Sequence, residues 1–454
     1  MLGAKIAVAR AAGALSRRSG RGATSLPGKL LMRMEPRAIE RLARRLPQGS
    51  AVISATNGKT TTAAMVAAIL ERSGTRLVHN RAGANMAGGV ASVLLGAARG
   101  DGIDGDAGLF EVDEFWLDQV VAQLRPRALL LSNLFRDQLD RYGELETIAD
   151  RWAATVAAAT DTQLVLNADD PLVADLGRGS DPGRVTYFGV EDDSMALGGM
   201  AHASDSKHCR RCGAPYVYDA IYMGHLGRYH CPTGDSRRPQ PGVYATGVTL
   251  DGTRAARFTL HLGGEQAVVE LPLPGLYNVY NALGAAALTS ALGAPLQQIV
   301  AGLEATQAAF GRAETVFLGR RELAILLVKN PAGTNEVLRT LALDDGEHDV
   351  LAVLNDKTAD GRDVSWVWDA DFEVIAPRVR RVTCSGTRAA ELALRLKYAG
   401  VPTDRVHVVP ELERGLDAAL ADGDGRLVAL PTYTAMLALR ELLVARGAAR
   451  GSFA

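Results

Sequence analysis

The chain has 454 residues, of which 47% are hydrophobic and 22% charged, and its formal net charge is −1. This is the composition of a folded globular chain with material for about two or three domains. The near-neutral balance argues against a nucleic-acid partner, whose binding domains are usually basic, and four cysteines in so long a chain rule out a disulfide scaffold and fit a reducing cytosolic compartment.

The N-terminal segment, residues 1–46, is basic. Arg10, Arg17, Arg18, Arg21, Lys29, Arg33, Arg37, Arg41, Arg44 and Arg45 stand against Glu35 and Glu40 alone. With Leu30, Leu31 and Met32 among them, two readings stand: a helical segment resting on an anionic membrane surface, or a solvated helix pair flanking the core. Residues 6–15 are interrupted by Arg10 and make a poor apolar core for a cleaved signal. No run approaches the roughly 20 apolar residues that span a bilayer.

From Ser50 onward the text alternates strand, glycine turn and helix. Residues 51–54, 109–112, 128–132 and 163–166 read as short buried strands, and 60–71 as a helix with Ala64, Ala67, Ala68 and Leu70 inward. Such alternation predicts a parallel sheet covered by helices. The pattern breaks over about 200–240, which holds three of the four cysteines and reads as an inserted module. Strand text resumes over 242–271, followed by an alanine-rich helix over 278–292. A second α/β unit begins near Val316, with strands at 323–328, 350–354, 379–385 and 427–430 and helices at 388–398 and 433–445. The expected division is 1–46, 47–312 and 313–454, with the last boundary near 311–314.

The most informative text is Ser54-Ala55-Thr56-Asn57-Gly58-Lys59-Thr60-Thr61-Thr62. It follows a strand and opens a helix, the frame a phosphate loop needs. Backbone N–H groups and the helix dipole there favour an anion. Lys59 is placed to reach the β- and γ-phosphates of ATP, and the Thr60 hydroxyl to ligate magnesium. The longer form of the loop has a glycine five residues before Gly58, where Ile53 stands, so a shorter loop is implied.

That shorter loop resembles the Mur ligase phosphate loop, with Ala55 in place of its first glycine. Asn167-Ala168-Asp169-Asp170-Pro171, the segment 275–282 and Gly311-Arg312-Ala313-Glu314 resemble further family elements in the same order. The segment 133–144, Lys329-Asn330-Pro331-Ala332-Gly333 and Asp360-Gly361-Arg362-Asp363 narrow the resemblance to the MurT branch, which covers nearly the whole chain. The resemblance implies an α/β fold: a P-loop Mur-ligase central domain with a cysteine-bearing ribbon insert, then a Rossmann-like C-terminal domain. It implies a ligase subunit of lipid II isoglutaminyl synthase, acting with a glutaminase subunit, GatD, at the cytoplasmic face of the membrane. Such a subunit activates the α-carboxyl of D-glutamate in the lipid II stem peptide with ATP and amidates it. Only about fifty residues precede the loop, too few for the UDP-binding domain of ordinary Mur ligases, which agrees with a lipid-linked substrate. An amino-acid-adding Mur or folylpolyglutamate-type ligase and a non-catalytic ATP-binding scaffold are the alternatives.

Carried over residue by residue, the resemblance implies ATP binding by Thr56, Asn57, Gly58, Lys59, Thr60, Thr61, Asn278 and Arg312. Glu111 matches the magnesium glutamate, with Asp113 and Glu114 as weaker candidates. Many Mur ligases hold a second magnesium with a carbamylated lysine and a histidine; no lysine occurs between Lys59 and Lys207, and Gln138 stands where the histidine is expected. Asp363 is implied to complete a Cys-His-Asp arrangement whose other members lie on the glutaminase, where an aspartate orients the imidazole; as residue chemistry alone it also suits a turn after Gly361. Cys384 reads as a buried strand cysteine. Cys209, Cys212 and Cys231 have ribbon spacing for zinc, but zinc wants four ligands. The fourth is His208, His230 or Asp235, or the site has decayed and Tyr216, Tyr218, Tyr222 and Leu226 hold the insert by packing.

Overall fold

The computed structural model describes residues 2–18, 25–80, 84–137, 145–200, 204–234, 236–307, 313–421, 423 and 425–449. Its larger sheet has nine strands. In spatial order they are Glu265–Leu271, Ala255–Leu262, Val243–Asp251, Val185–Val190, Gln163–Asn167, Ala128–Leu131, Ser50–Ser54, Ala107–Glu111 and Leu77–His79. Neighbours from Val243–Asp251 to Leu77–His79 are parallel, and the first three form an antiparallel meander.

The central strands are buried at nearly every position, and Ala128–Leu131 is apolar throughout, because both faces are covered. Successive side chains point to opposite faces, and the core divides accordingly. Ile53, Leu109, Leu130 and Val165 pack with the phosphate-loop helix Lys59–Arg72 and the helices Leu276–Ala291 and Leu296–Glu304. Val52, Phe110, Leu129 and Leu164 pack on the other face, against helices Ala87–Ala97, Leu117–Leu124 and Leu145–Ala158 and the N-terminal helices.

Helix Lys59–Arg72 corrects the expected inward face in part. Ala67 is buried as expected, but Ala63, Met65, Val66 and Ile69 are fully buried, whereas Ala64, Ala68 and Leu70 are half-buried. The helix is covered on one side by the sheet and on another by Leu296–Glu304, where Gln298 Nε2 donates to the Ile69 carbonyl at 2.9 Å. A helix enclosed on several sides carries no clean stripe for periodicity to find.

The basic segment forms three helices, Leu2–Arg18, Leu26–Met34 and Ala38–Ala43. Their inner residues Leu2, Ile6, Leu31, Ile39 and Leu42 belong to the core. Helix Leu26–Met34 lies so close to Ala87–Ala97 that a Cβ on Gly28 would stand 2.0 Å from the Gly88 carbonyl oxygen. Among the described residues no helix is long and apolar enough to cross a membrane.

The second sheet runs Glu314–Leu318, Arg321–Ile325, Leu427–Pro431, His348–Val353, Val379–Ser385 and Val406–Val408, parallel except for its first pair. The insert is a hairpin, Val217–Met223 with Leu226–His230, whose Ala220, Tyr222, Met223 and Leu226 join the main core.

Candidate active site

The phosphate loop leaves strand Ser50–Ser54 and is laced to its neighbour segment. Thr56 N donates to the Asn133 carbonyl at 3.0 Å, and the Thr56 hydroxyl lies 3.1 Å from Phe135 N, which donates to it. Asn57 N donates to Asn133 Oδ1 at 2.9 Å, and Asn133 Nδ2 returns a bond to the Asn57 carbonyl at 3.0 Å. Gly58 has φ +87°, and a Cβ there would stand 2.0 Å from Asn281 Oδ1. Both the backbone conformation and the space require glycine. Asn281 is held in turn by Asn278 Oδ1 at 3.0 Å, while Asn278 Nδ2 donates to the Pro274 carbonyl at 2.7 Å. The asparagines of helix Leu276–Ala291 thus buttress the loop as well as facing the cavity.

That cavity has a volume of about 390 Å³, within the range of small-molecule sites. All of Thr56, Asn57, Gly58, Lys59, Thr60, Thr61, Glu111 and Asn278 line it. Arg312, with its neighbour Gly311, lies outside the described residues, as do 138–144 of the segment that opens at Asn133.

Its electrostatics are dominated by a compact cluster. Lys59 Nζ lies 2.8 Å from Glu114 Oε2 and 3.4 Å from the Thr56 carbonyl. Burial opposes the ammonium charge, but Glu114, Asp113 and Glu111 together hold its pKa above the ordinary lysine value. Burial likewise opposes charge on Glu114, and Lys59 and Lys329 outweigh it, leaving that carboxyl below its usual range. Glu114, ranked below Glu111 from sequence, makes the direct ion pair. Glu111 sits at the strand end with its backbone clamped by Asn80, whose Oδ1 and Nδ2 meet Glu111 N and O at 3.0 and 2.8 Å.

Sequence reasoning missed Lys329 as a site residue. It arrives from the C-terminal unit, and its Nζ lies 3.0 Å from the Thr56 carbonyl and 2.5 Å from Asp137 Oδ2. Beside it Asn330 caps helix Pro331–Ala342, and its Nδ2 donates to Asn57 Oδ1 at 3.0 Å. Lys329 is therefore a second ammonium at the loop, brought by the C-terminal unit. Burial pushes the Asp137 carboxyl up, against the pull of Lys329. The motif Lys329-Asn330-Pro331 was the available signal, but it carried no hint of which side chain turns inward.

Glu336, also on the cavity wall, is pushed up to about 7 by burial, with Arg339 at 2.6 Å opposing the shift. Its unfolded value is near 4.5, so between these pH values the unfolded chain sheds a proton the native one keeps. Glu336 therefore lowers stability as pH rises from 4.5 towards 7, by an amount on the order of 3 kcal/mol once both states are ionised. Glu336→Gln is expected to raise the thermal midpoint at pH 8, the gain fading as pH falls through this window. A gain that is equal at pH 8 and pH 4.5, in thermal melts across that range, would contradict the assignment.

Asp363 is exposed and is not part of the cavity wall. The motif around it divides the work. Asp360 is buried and accepts from Thr434 N at 2.7 Å, anchoring the loop to helix Tyr433–Ala445. Asp363 accepts from Ser365 N at 2.8 Å, and bonds from Ser365 hold its carboxyl below the usual range. It is an ionised carboxylate presented outward, next to a short 3-10 helix that ends in the half-exposed Trp368.

Sγ atoms of Cys209, Cys212 and Cys231 lie within 4.8 Å of one another. The turns that present them close with Gly213 N on the Cys209 carbonyl and Gly234 N on the Cys231 carbonyl, at 2.8 and 2.9 Å. The Thr233 hydroxyl stands 2.9 Å from Cys231 Sγ and 3.1 Å from Cys212 Sγ. His230 faces Asp219 at 3.5 Å instead, and neither it nor His208 joins the thiol group. Asp235 lies outside the described residues. Packing also holds the insert: Tyr222 and Leu226 are buried, and Tyr216 and Tyr218 meet Tyr229 with ring centroids 5.0 and 6.0 Å apart. Cys384 is fully buried in strand Val379–Ser385, and burial pushes its thiol up to about 12.

Comparison with known proteins places the chain in a family and a fold. Residues 53–229 match the Mur ligase middle domain, and 327–436 match the MurT ligase C-terminal family. A protein of Staphylococcus aureus (strain N315) named lipid II isoglutaminyl synthase (glutamine-hydrolyzing) subunit MurT is 33% identical over 96% of this chain and 97% of its own. Its namesake from Streptococcus pneumoniae is 31% identical over 94% of each chain. Among solved structures, a pseudomurein peptide ligase type C from Methanothermus fervidus shares the fold, with a TM-score of 0.66 at 23% identity, covering 89% of this chain and 80% of that one. MurF from Acinetobacter baumannii does so with a TM-score of 0.66 at 18% identity, over 93% and 80% of the two chains. On these grounds the chain belongs to the MurT branch of the Mur ligases.

Proposed function

We propose that this chain is the ATP-dependent ligase subunit of a lipid II isoglutaminyl synthase. It phosphorylates the α-carboxyl of D-glutamate in the lipid II stem peptide and amidates it with ammonia from a separate glutaminase subunit of the GatD kind, at the cytoplasmic face of the membrane. The observation that carries the reading is the cavity between the two sheets, where Lys59 and Lys329 enter from opposite units beside Glu111, Asp113, Glu114 and Asp137. Four carboxylates next to a phosphate loop repel ATP unless a divalent cation joins them. That donor set fits magnesium, which Thr60, Glu111 and the neighbouring acids would hold and which would neutralise phosphate charge.

In the reaction, loop amides and Lys59 hold the β- and γ-phosphates. A carboxylate oxygen of the substrate attacks the γ-phosphorus and ADP leaves. Ammonia then adds to the acyl carbon of the acyl phosphate, inorganic phosphate departs and the nitrogen sheds a proton. Lys329, on the far wall, supplies a second positive charge to the transferring group. The chain is proposed to divide at 46 and 312, so that these two lysines belong to different domains. The relatives' name includes glutamine hydrolysis, while each described cysteine is either in the thiol cluster or buried in a strand. A partner chain carrying the glutaminase nucleophile accounts for both, and Asp363, outside the cavity, is free to serve it. The test is the purified chain with ATP, ammonia and lipid-linked substrate: conversion of the acid to a primary amide supports the reading. Activity with a free amino acid and none with ammonia would favour an amino-acid ligase instead.

We assign structural zinc to Cys209, Cys212 and Cys231, whose sulfurs are already gathered. Metal analysis should return zinc, and its removal by chelator should lower the thermal midpoint. Zinc-free protein that melts identically with and without chelator would refute this.

A further inference from the structure

The tip of the ribbon hairpin is buried in the protein, at the edge of the cavity. Met223 lines the same cavity as Lys59. His225, two residues on, has no exposed surface. Its ring centroid is 4.7 Å from that of Phe135. Its Nε2 lies 3.3 Å from Asp170 Oδ2 without the alignment of a hydrogen bond, and neither ring nitrogen has another partner among the described residues. Gly224 allows the approach: at φ +57° it lies where a Cβ would be 3.0 Å from the Phe135 ring.

The segment under this tip is the one that borders the phosphate loop, and each of its residues is gripped. Asn133 is laced to Asn57. Leu134 N donates to Asp170 Oδ2 at 2.8 Å, the same oxygen that faces His225. Phe135 N and O both meet the Thr56 hydroxyl, at 3.1 and 3.3 Å. Arg136 is held by Asp205 of the insert, at 3.0 Å from its backbone N. Asp137 ends the run on Lys329. Of these five grips one, that on Arg136, comes from the insert, and the insert's His225 ring adds a packing contact on Phe135.

We infer that the cysteine insert is a positioning arm of the nucleotide site, and that His225 is the positioning residue through which it acts, its ring propping Phe135 against Thr56. The inference rests on the ATP reading of the cavity. With the prop in place, the Thr56 carbonyl and Asp137 present themselves together to Lys329. Without it, residues 133–137 keep their other grips but lose the planar surface that fixes Phe135.

The test uses the full chain. His225→Leu fills the volume without a ring, and His225→Phe restores a ring without the nitrogens. His225→Leu is expected to raise KM for ATP about tenfold, with kcat and KM for the lipid substrate within about threefold, and His225→Phe to return KM to within about twofold of the parent. A merely structural role would lower the thermal midpoint and the active fraction and leave KM for ATP unmoved; that result overturns the inference. So does a KM defect that His225→Phe fails to rescue. If His225→Leu does not fold, Asp205→Asn, which loosens the second grip, is read by the same KM split: a rise in KM for ATP supports the inference and an unchanged KM refutes it. Parent protein that binds no ATP in direct titration would sink the nucleotide reading itself, a failure distinct from an unchanged variant.

Discussion

Lys59→Ala is expected to lower kcat/KM for ATP-driven amidation by about a thousandfold or more. Lys59 is the cation of a loop whose other donors are backbone amides, and its ammonium is held charged by three nearby acids. Lys329→Ala should cost less, about a hundredfold, because it leaves the loop and its lysine intact. If the two lysines act on one transferring group, the double variant should be scarcely worse than Lys59→Ala alone. Fully additive losses in steady-state kinetics would show that they serve separate steps. Removing Lys59 also strands the buried Glu114 carboxylate, which is destabilising by itself. Lys59→Ala combined with Glu114→Gln removes both charges; it should melt near the parent temperature and remain inactive.

Asp363→Asn should separate the two nitrogen sources. With the glutaminase partner present, glutamine-driven amidation is expected to fall by about a thousandfold or more, as when an imidazole loses the carboxylate that orients it. Amidation from free ammonia should stay within about twofold of the parent, because Asp363 is exposed and apart from the cavity. The hydrogen bond from Ser365 N can be kept by the Asn oxygen, so folding is not at stake. Equal loss from both nitrogen sources would place Asp363 in the ligase reaction and refute its assignment to the partner.

Much of this was legible in the sequence because it is local. The phosphate loop declares itself by a glycine before a lysine at a strand-to-helix junction, and parallel strands such as Leu129–Leu130–Leu131 by being apolar throughout. The cavity's far wall was not legible. Lys329 meets the Thr56 carbonyl across 273 residues of chain, and no periodicity or spacing encodes such a contact. The ion pair of Glu114 with Lys59 was hidden for a related reason: a 3-10 turn, capped by Asp113, places Glu114 beside Lys59. Helix Lys59–Arg72 misled in part through burial itself, since a helix enclosed on several sides has no clean outward face to mark its inward one. His225 had no signal at all. It was one of several histidines in an insert read as self-contained, and only the packing of its tip beneath Phe135 shows where it points.

Activation of the carboxylate as an acyl phosphate in this chain's own cavity leaves an isotopic trace, which substrate labelled with oxygen-18 in the α-carboxylate of the D-glutamate reads out. With the purified chain, ATP and ammonia, the expected result is ADP as the nucleotide product and one labelled oxygen carried into the released phosphate for each amide formed. Unlabelled phosphate, or label appearing in AMP, would contradict it.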